Sequence, residues 1–171
     1  MSGHAGDEAL VDFCRSQYPR LVGFLGLYCG DRAVAEELAQ ETLARVWRKW
    51  PTVHHLDRPD SWAQRVAINL ANSHYRRAVA ERKARSRQAG ASPGEPAPPE
   101  DVIAVRQAVA ALPRRQRAAV VLHYYLDLPL TEVADRMGTS VPGAKSLLHR
   151  AVANLRAGGR VLDPKEVADV T

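Results

Sequence analysis

The sequence predicts an all-α protein, built as two small helical domains joined by a flexible linker. Apolar residues recur at helical spacing on both sides of residues 89–100, a stretch rich in proline and glycine that has no large apolar side chain to bury. No segment shows the alternation of apolar and polar residues that is typical of a half-buried strand. A length of 171 residues accommodates one ordinary domain or two small ones.

The first domain begins with two predicted helices between Leu10 and Trp50. Gly30 and Asp31 separate them, the glycine as a helix stop and the aspartate as the N-cap of the second helix. Pro19 is expected to break or kink the first helix, because proline lacks a backbone donor and clashes with the preceding turn. The apolar positions are Leu10, Phe13, Cys14, Leu21, Leu25, Tyr28, Val34, Leu38, Ala39, Leu43, Val46, Trp47 and Trp50.

A third long helix is predicted to follow a loop at residues 51–59. Pro59 and Asp60 suit the first turn of a helix, where proline loses no hydrogen bond and an acidic side chain faces the positive end of the helix dipole. The residues expected on its buried face are Trp62, Val66, Leu70 and Ala71, and the other two tryptophans are also expected in the core.

Composition sets the predicted domain bounds. The first domain spans residues 8–88, the linker residues 89–100 and the second domain residues 101–157. Residues 158–171 carry no recognisable motif and are expected to form a tail.

Basic residues exceed acidic ones, and each sign is concentrated in its own stretch. Lys and Arg number 24 against 19 Asp and Glu, a formal net charge of +5, which favours an acidic partner such as nucleic acid. Basic side chains crowd residues 76–87, whereas acidic side chains crowd residues 31–41. The pattern therefore predicts one basic and one acidic surface.

The sequence shows none of the residue sets that catalysis requires. It has no nucleophile with an activating base, no paired carboxylates in a recognisable motif and no phosphate-binding glycine loop, so we expect no enzyme, no cofactor and no small-molecule substrate. His54, His55 and His74 have no acidic or thiol cluster nearby to complete a metal site.

The expected location is the cytoplasm. No apolar run approaches the roughly 20 residues that a membrane-spanning helix needs, and residues 1–7 have neither a charged leader nor an apolar signal core. In a reducing compartment, Cys14 and Cys29 are expected to be plain buried thiols, with redox sensing as the alternative.

Residues 130–155 have the pattern of a helix-turn-helix. Ala134 is small where two helices must approach closely, Gly138 permits a left-handed turn residue, and Ser140 can cap the next helix. A second helix of this kind fits the major groove of DNA. The alternative is a generic helical hairpin with a solvated basic face.

The exposed face of that second helix is predicted to contact DNA. Val141 and either Leu147 or Leu148 would anchor the helix to the core. Lys and Arg can reach guanine edges, Ser and His can contact bases or phosphates, and the arginines of the preceding helix can hold phosphates. The predicted contacts are Arg114, Arg115, Arg117, Ser140, Pro142, Lys145, Ser146, His149 and Arg150.

Two stretches of the first domain resemble region two of the bacterial sigma factors, which give RNA polymerase its promoter specificity. The first is residues 31–47, Asp-Arg-Ala-Val-Ala-Glu-Glu-Leu-Ala-Gln-Glu-Thr-Leu-Ala-Arg-Val-Trp, and the second is Trp62 with residues 65–77. Residues 112–117 and 140–151 resemble region four. Because both matches occur in the family's order, the chain is identified as a member of the extracytoplasmic-function (ECF) group.

The resemblance implies that residues 31–47 bind the clamp helices of the largest subunit of core RNA polymerase. An acidic, hydrogen-bonding helix face suits a basic partner helix, and a merely solvated face is the alternative. The residues carried over for this role are Glu36, Glu37, Leu38, Gln40 and Glu41, with Trp47 beside them.

The resemblance also implies that the third helix opens promoter DNA. The loop at residues 51–58 would form a pocket for an extruded base, and Asn, Tyr and Arg side chains would bond, stack on and clamp the single strand. The residues expected along that strand are Asn69, Asn72, His74, Tyr75, Arg76 and Arg77. Region four would read the upstream element and contact the flap of the second-largest subunit.

The chain departs from the family at Ser73, where relatives usually carry aspartate, and at Ala144 and Leu147, where threonine and arginine are commoner. These departures leave the promoter sequence open. The implied partners are core RNA polymerase, promoter DNA and an anti-sigma factor, which in this family often sequesters its sigma factor at the membrane. The competing hypothesis is an ordinary helix-turn-helix regulator that binds duplex DNA without polymerase.

Overall fold

The computed structural model describes residues 3–85 and 100–157, and every regular element in these two ranges is helical. The elements are α1 (Gly3–Cys29), α2 (Arg32–Val53), α3 (Pro59–Arg85), α4 (Glu100–Ala111), α5 (Arg114–Val120) with a π-helical continuation (Val121–Tyr125), α6 (Leu130–Met137) and α7 (Val141–Ala157). The all-α prediction is confirmed. Residues 89–99 of the predicted linker, the predicted tail and the side chains of residues 82–87 lie outside the described part.

The described residues form two compact units. The first unit holds α1 as far as Leu25, together with α2 and α3, and the second holds Gly26–Gly30 with α4 to α7. The predicted bounds, 8–88 and 101–157, differ from this division at residues 26–30, which end α1 but belong to the second unit.

The boundary between α1 and α2 lies where the sequence predicts it. Gly30 takes φ +72°, the left-handed region that glycine adopts without strain, and its N–H donates to the Gly26 carbonyl at 2.8 Å. Asp31 is extended at φ −142°, and its carboxylate accepts from the backbone N–H of Val34 at 3.1 Å. Asp31 is therefore the N-cap of α2.

Two prolines lie within helices that the sequence predicts them to interrupt. The expected break at Pro19 does not occur, since α1 runs through it to Cys29. The loop is shorter than the predicted residues 51–59, because α2 includes Pro51 and ends at Val53. Val53 is fully buried, and its burial favours continuing α2 past Pro51, although a helical proline lacks the N–H for one hydrogen bond. The loop is confined to residues 54–58.

The core of the first unit combines large residues of α1 and α2 with small residues of α3. Val46 packs with Leu10 and Ala63, and the Phe13 and Trp50 rings lie 5.2 Å apart beside them. Trp47 is 66% exposed, so the expectation that it lies in the core is wrong. It follows Val46 by about 100° around the helix, which turns its ring away from the buried side.

The buried face of α3 is also shifted from the predicted one. Its buried residues are Ala63, Ala67, Ile68 and Ala71, whereas Trp62, Val66 and Leu70 are only half-buried. Three alanines on this face let a neighbouring helix approach closely, and α2 is a helix that packs on α3.

The second unit is organised around α5 and its π-helical continuation. Val120, Val121 and Leu122 are fully buried there. The Leu126 N–H donates to the Val121 carbonyl at 3.1 Å, five residues back, and this wider turn ends the helix before α6.

The cap at Asp31 supports a stability prediction. Asp31→Ala removes the acceptor for the Val34 N–H, and we expect it to lower the stability of the first unit by about 1 kcal/mol. Asp31→Asn retains an acceptor and serves as the matched control. Urea unfolding followed by tryptophan fluorescence reports this unit alone, because all three tryptophans lie in it. Equal midpoints for the two variants would contradict the capping role.

Candidate functional sites

The turn between α6 and α7 has the geometry that the sequence predicts. Gly138 takes φ +59° and ψ +46°, and the Thr139 N–H donates to the Ala134 carbonyl at 3.0 Å. The Ser140 hydroxyl accepts from the Gly143 N–H at 3.2 Å, which caps α7. Both features fix the direction in which α7 leaves the turn.

The anchors of α7 differ in part from those predicted. Val141 is 40% exposed, so it does not anchor the helix to the core. Leu148 is buried as expected, and Ala144, Ala151 and Leu155 are buried with it at helical spacing. The opposite face of α7 is therefore left to solvent.

The predicted DNA contacts on α7 share one exposed face and line one groove of about 820 Å³. The groove is lined by Tyr124, Pro142, Lys145, Ser146, Leu148, His149, Arg150, Val152 and Arg156. Its charged side chains are cationic, as a polyanionic ligand requires.

Among the polar residues of this groove, sequence reasoning missed Arg156 and Tyr124. Arg156 follows His149 by two helical turns and could have been found by extending the same face. Tyr124 enters from the π-helical segment, whose unusual turn leaves no simple periodic signal in the sequence.

The arginines of α5 divide into two kinds. Arg114 and Arg115 are exposed, whereas Arg117 donates from Nη1 to the Ala110 carbonyl at 3.1 Å and so ties α5 to the end of α4. Gln116 makes a second tie, because its amide oxygen accepts from Asn154 Nδ2 of α7 at 2.8 Å. The first tie joins α5 to α4, and the second holds α7 on α5.

The acidic face of α2 is partly neutralised by neighbouring arginines. Arg32 Nε lies 2.9 Å from Glu36, and Arg45 Nε lies 2.8 Å from Glu41, with Arg48 Nη2 at 3.5 Å from the same oxygen. The hydrogen bond from Arg45 lowers the pKa of Glu41, and the charges of Arg45 and Arg48 act in the same direction. Glu36 and Glu41 are thus already paired.

Two other residues of the same face are unpaired. Glu37 and Gln40 are exposed, and their side chains have no partner among the described residues. Leu38 is only 6% exposed, so this residue, which was expected to bind the polymerase, mainly packs inside the first unit. The exposed large apolar residue of α2 is Trp47.

A groove between α2 and α3 brings together residues that the sequence assigned to different partners. It has a volume of about 580 Å³. Its lining residues are Glu37, Leu38, Gln40, Glu41, Ala44 and Arg45 of α2 with Leu70, Ser73, His74 and Arg77 of α3. The face expected to bind the polymerase and part of the expected strand path therefore form the two walls of one groove.

The remaining residues of the expected strand path lie on other sides of α3. Asn69 and Arg76 are exposed two turns apart, and Arg76 Nη2 donates to the Ser73 hydroxyl at 2.9 Å. Asn72 and Tyr75 are half-buried. The six predicted residues are thus not all on one surface.

Aromatic rings lead from the core to the loop at residues 54–58. The Trp50 ring lies 5.7 Å from that of His54, which lies 3.7 Å from that of His55. His54 Nδ1 donates to the Trp50 carbonyl at 2.6 Å, and this bond fixes the first histidine of the pair. The exposed His55 ring thus ends a row of neighbouring aromatic rings that begins at Phe13.

A third groove, about 470 Å³ in volume, lies between α1 and α2 and is almost wholly apolar. It is lined by Leu10, Val11, Cys14, Leu43, Ala44 and Trp47. Cys14 is half-buried in it, and Cys29 is buried, close to the expectation that both are buried thiols.

The described ranges, residues 3–85 and 100–157, hold neither a metal-binding cluster nor a membrane span. No three His, Cys, Asp or Glu side chains there come together as a metal-binding set. None of the helices in those ranges is long and apolar enough to cross a membrane.

Comparison with known families assigns both units. Residues 13–81 match the family described as Sigma-70 region 2, and residues 103–155 match the family described as Sigma-70, region 4. The chain belongs to the sigma-70 family of RNA polymerase sigma factors. The resemblance predicted from residues 31–77 and 112–151 is thereby confirmed.

Related proteins place this sigma factor in the ECF group. It is 30% identical over 166 residues to the ECF RNA polymerase sigma factor SigL of Mycobacterium tuberculosis, covering 91% of this chain and 93% of the relative. It is 31% identical over 128 residues to the RNA polymerase sigma-E factor of Streptomyces coelicolor, covering 74% and 72%.

The fold of this sigma factor is also that of a solved structure. The sigma factor RpoE of Bartonella quintana, crystallised with the anti-sigma factor NepR, aligns with a TM-score of 0.70 at 23% identity. The alignment covers 89% of this chain and 99% of the other. At this identity the likeness supports the fold alone.

The environment of Cys14 predicts a thiol of low reactivity. Burial raises the pKa of the Cys14 thiol, so little thiolate is present at neutral pH. In the Cys29→Ser variant of this sigma factor, we expect iodoacetamide to modify Cys14 more slowly in the folded protein than in urea. Mass spectrometry of timed samples measures both rates. A folded protein that reacts faster than the unfolded one would instead support redox sensing.

Proposed function

We propose that this sigma factor docks on core RNA polymerase through α2, opens promoter DNA along α3 and reads an upstream promoter element with α7. The observation that carries the proposal is the exposed and capped face of α7, whose charged side chains are all cationic, in the same chain as the groove between α2 and α3. On this proposal the protein acts without catalysing a reaction and without a cofactor.

The face of α7 supports the upstream part of the proposal. Lys145, Ser146, His149 and Arg150 are exposed on the N-terminal half of α7, the part of a recognition helix that meets base edges in the major groove. Arg114 and Arg115 at the start of α5 are exposed and suited to phosphates, which position a protein without specifying sequence.

The outer face of α2 supports docking on the polymerase. Glu37 and Gln40 are exposed and have no side-chain partner among residues 3–85 and 100–157, so a basic partner can bond to them without first breaking an ion pair. Trp47 is an exposed aromatic residue of the kind that anchors protein interfaces. The proposed partner is the clamp of the largest subunit, and the flap of the second-largest subunit is the proposed contact of the second unit.

The loop at residues 54–58 and the groove beside α3 support the melting step. His55 offers an exposed ring at the end of a row of aromatic rings, on which an extruded base can stack. His74 and Arg77 line the groove between α2 and α3, where Arg77 can hold a phosphate of the separated strand.

We also propose regulation by an anti-sigma factor. The solved sigma factor that shares this fold was crystallised with one, which supports a partner of that kind. The protein would then be cytoplasmic, and held at the membrane when its anti-sigma factor is anchored there.

Gel shifts with and without core enzyme test the proposed function. A sigma factor is expected to bind a specific promoter tightly only in the presence of core enzyme. Tight, sequence-specific binding by the isolated chain would favour the competing hypothesis of an independent regulator.

The recognition face generates a prediction for transcription. Lys145→Ala or Arg150→Ala is expected to weaken use of the upstream element by about 1–3 kcal/mol if the truncated side chain bonds directly to a base. Arg20→Ala, which removes an exposed arginine of α1, is the control for charge. The measurement is transcription from a matched promoter with purified holoenzyme. Unchanged transcription in both α7 variants would refute the assignment.

The unpaired carboxylate of α2 generates a prediction for polymerase binding. Glu37→Gln should weaken binding to core enzyme by about 1–3 kcal/mol, because it removes a charged hydrogen-bond acceptor that is free to engage a partner. Glu36→Gln should have a smaller effect, since Glu36 already bonds to Arg32. Titration of core enzyme into the labelled sigma factor measures both affinities. Equal effects of the two substitutions would show that pairing within α2 does not decide the strength of binding.

A further inference from the structure

We propose that Arg45 is a latent binding residue for the phosphate backbone of single-stranded DNA. In the free chain Glu41 holds Arg45, and a basic partner surface that covers Glu41 releases it toward the groove between α2 and α3. The inference rests on the proposed function and adds a residue and a form of regulation to it.

The charges that line this groove are balanced. Its permanent cations are Arg45 and Arg77, and its carboxylates are Glu37 and Glu41, so two positive charges face two negative ones. A groove with no excess of positive charge gives a polyanion little reason to bind, although the whole chain carries a formal charge of +5. The strand-binding groove of the free protein is therefore self-neutralised.

The ion pair between Arg45 and Glu41 can be exchanged. Arg45 Nε lies 2.8 Å from Glu41 Oε1, and the two side chains are 47% and 41% exposed. Solvent-exposed pairs of this kind on one helix contribute little to stability. An arginine or lysine of a docking partner can compete with Arg45 for Glu41, and Arg48, 3.5 Å from the same oxygen, already shows that this carboxylate accepts a second cation.

Arg45 is also in the right place to bind the strand. It lines the groove, and so do His74 and Arg77 of the expected strand path. A guanidinium binds phosphate through two parallel hydrogen bonds, so a released Arg45 would form a second phosphate clamp opposite Arg77. Arg48 does not line the groove, and this difference between the two arginines supplies the control.

The experiment measures binding of the full-length chain to fluorescein-labelled single-stranded DNA of mixed sequence, by anisotropy over a range of salt concentrations. Glu41→Gln removes the carboxylate that holds Arg45. If Arg45 then binds one further phosphate, the slope of log K against log salt concentration becomes steeper by about 0.7. If the variant and the wild type bind equally at 1 M salt, the variant is then expected to bind about fivefold more tightly at 0.1 M salt.

Matched variants separate Arg45 from a general effect of charge. Asp12→Asn also breaks an exposed ion pair, with Arg15 at 3.3 Å, but outside the groove, and it is expected to leave the slope unchanged. Glu41→Gln/Arg45→Ala and Glu41→Gln/Arg48→Ala both restore the wild-type net charge. The first should lose the increase in affinity and the second should keep it. Circular dichroism confirms that each variant is folded.

The inference is overturned if Glu41→Gln binds no more tightly than Asp12→Asn, or if the two double variants bind equally. Transcription by the wild-type chain with core enzyme is a separate readout. If that transcription is promoter-specific while Glu41→Gln shows no increase in affinity, the role of Arg45 fails and the proposed function stands. If no transcription is obtained, the proposed function fails.

Discussion

The close packing of α2 on α3 is the constraint on which the first unit depends. Most of the buried residues of both helices have small side chains. The fully buried small residues are Ala35, Ala39 and Thr42 on α2 and Ala63, Ala67 and Ala71 on α3. Small side chains at these positions let two helices approach closely. As a result the outer edge of α2 and the outer edge of α3 become the walls of one groove, and carboxylates and arginines of different proposed function are brought within one site.

Along α2, pairing between neighbouring side chains decides which charges are free to bind a partner. Helical spacing of four residues joins Arg32 to Glu36 and Arg45 to Glu41, and leaves Glu37 and Gln40 facing solvent. The sequence motif does not distinguish these four acidic or amide side chains from one another. In the structure, Glu36 and Glu41 are paired with arginines, whereas Glu37 and Gln40 are open to a partner. The groove of α7 has no such balance, because the charged residues that line it are all cationic.

Local chemistry made much of this arrangement predictable. Gly30, Asp31, Gly138 and Ser140 each act through the backbone within three or four residues, so the sequence alone indicates where α2 and α7 begin. The predictions that Trp47 is buried and that Pro51 lies in a loop are wrong. Burial and helix length at these positions depend on which helix packs beside them, and that is a tertiary property. The groove between α2 and α3 and the position of Tyr124 in the groove of α7 also depend on how the helices pack. Residue type predicted the candidate binding residues, and only packing showed which of them lie together.

The central claim, that this sigma factor confers promoter specificity on the polymerase, is tested most directly by multi-round transcription with purified core RNA polymerase on a genomic promoter library, with and without the protein. The account predicts new start sites that share paired upstream and downstream elements and appear only when both proteins are present. An absence of new start sites, together with sequence-specific binding of the isolated chain to duplex DNA, would contradict it.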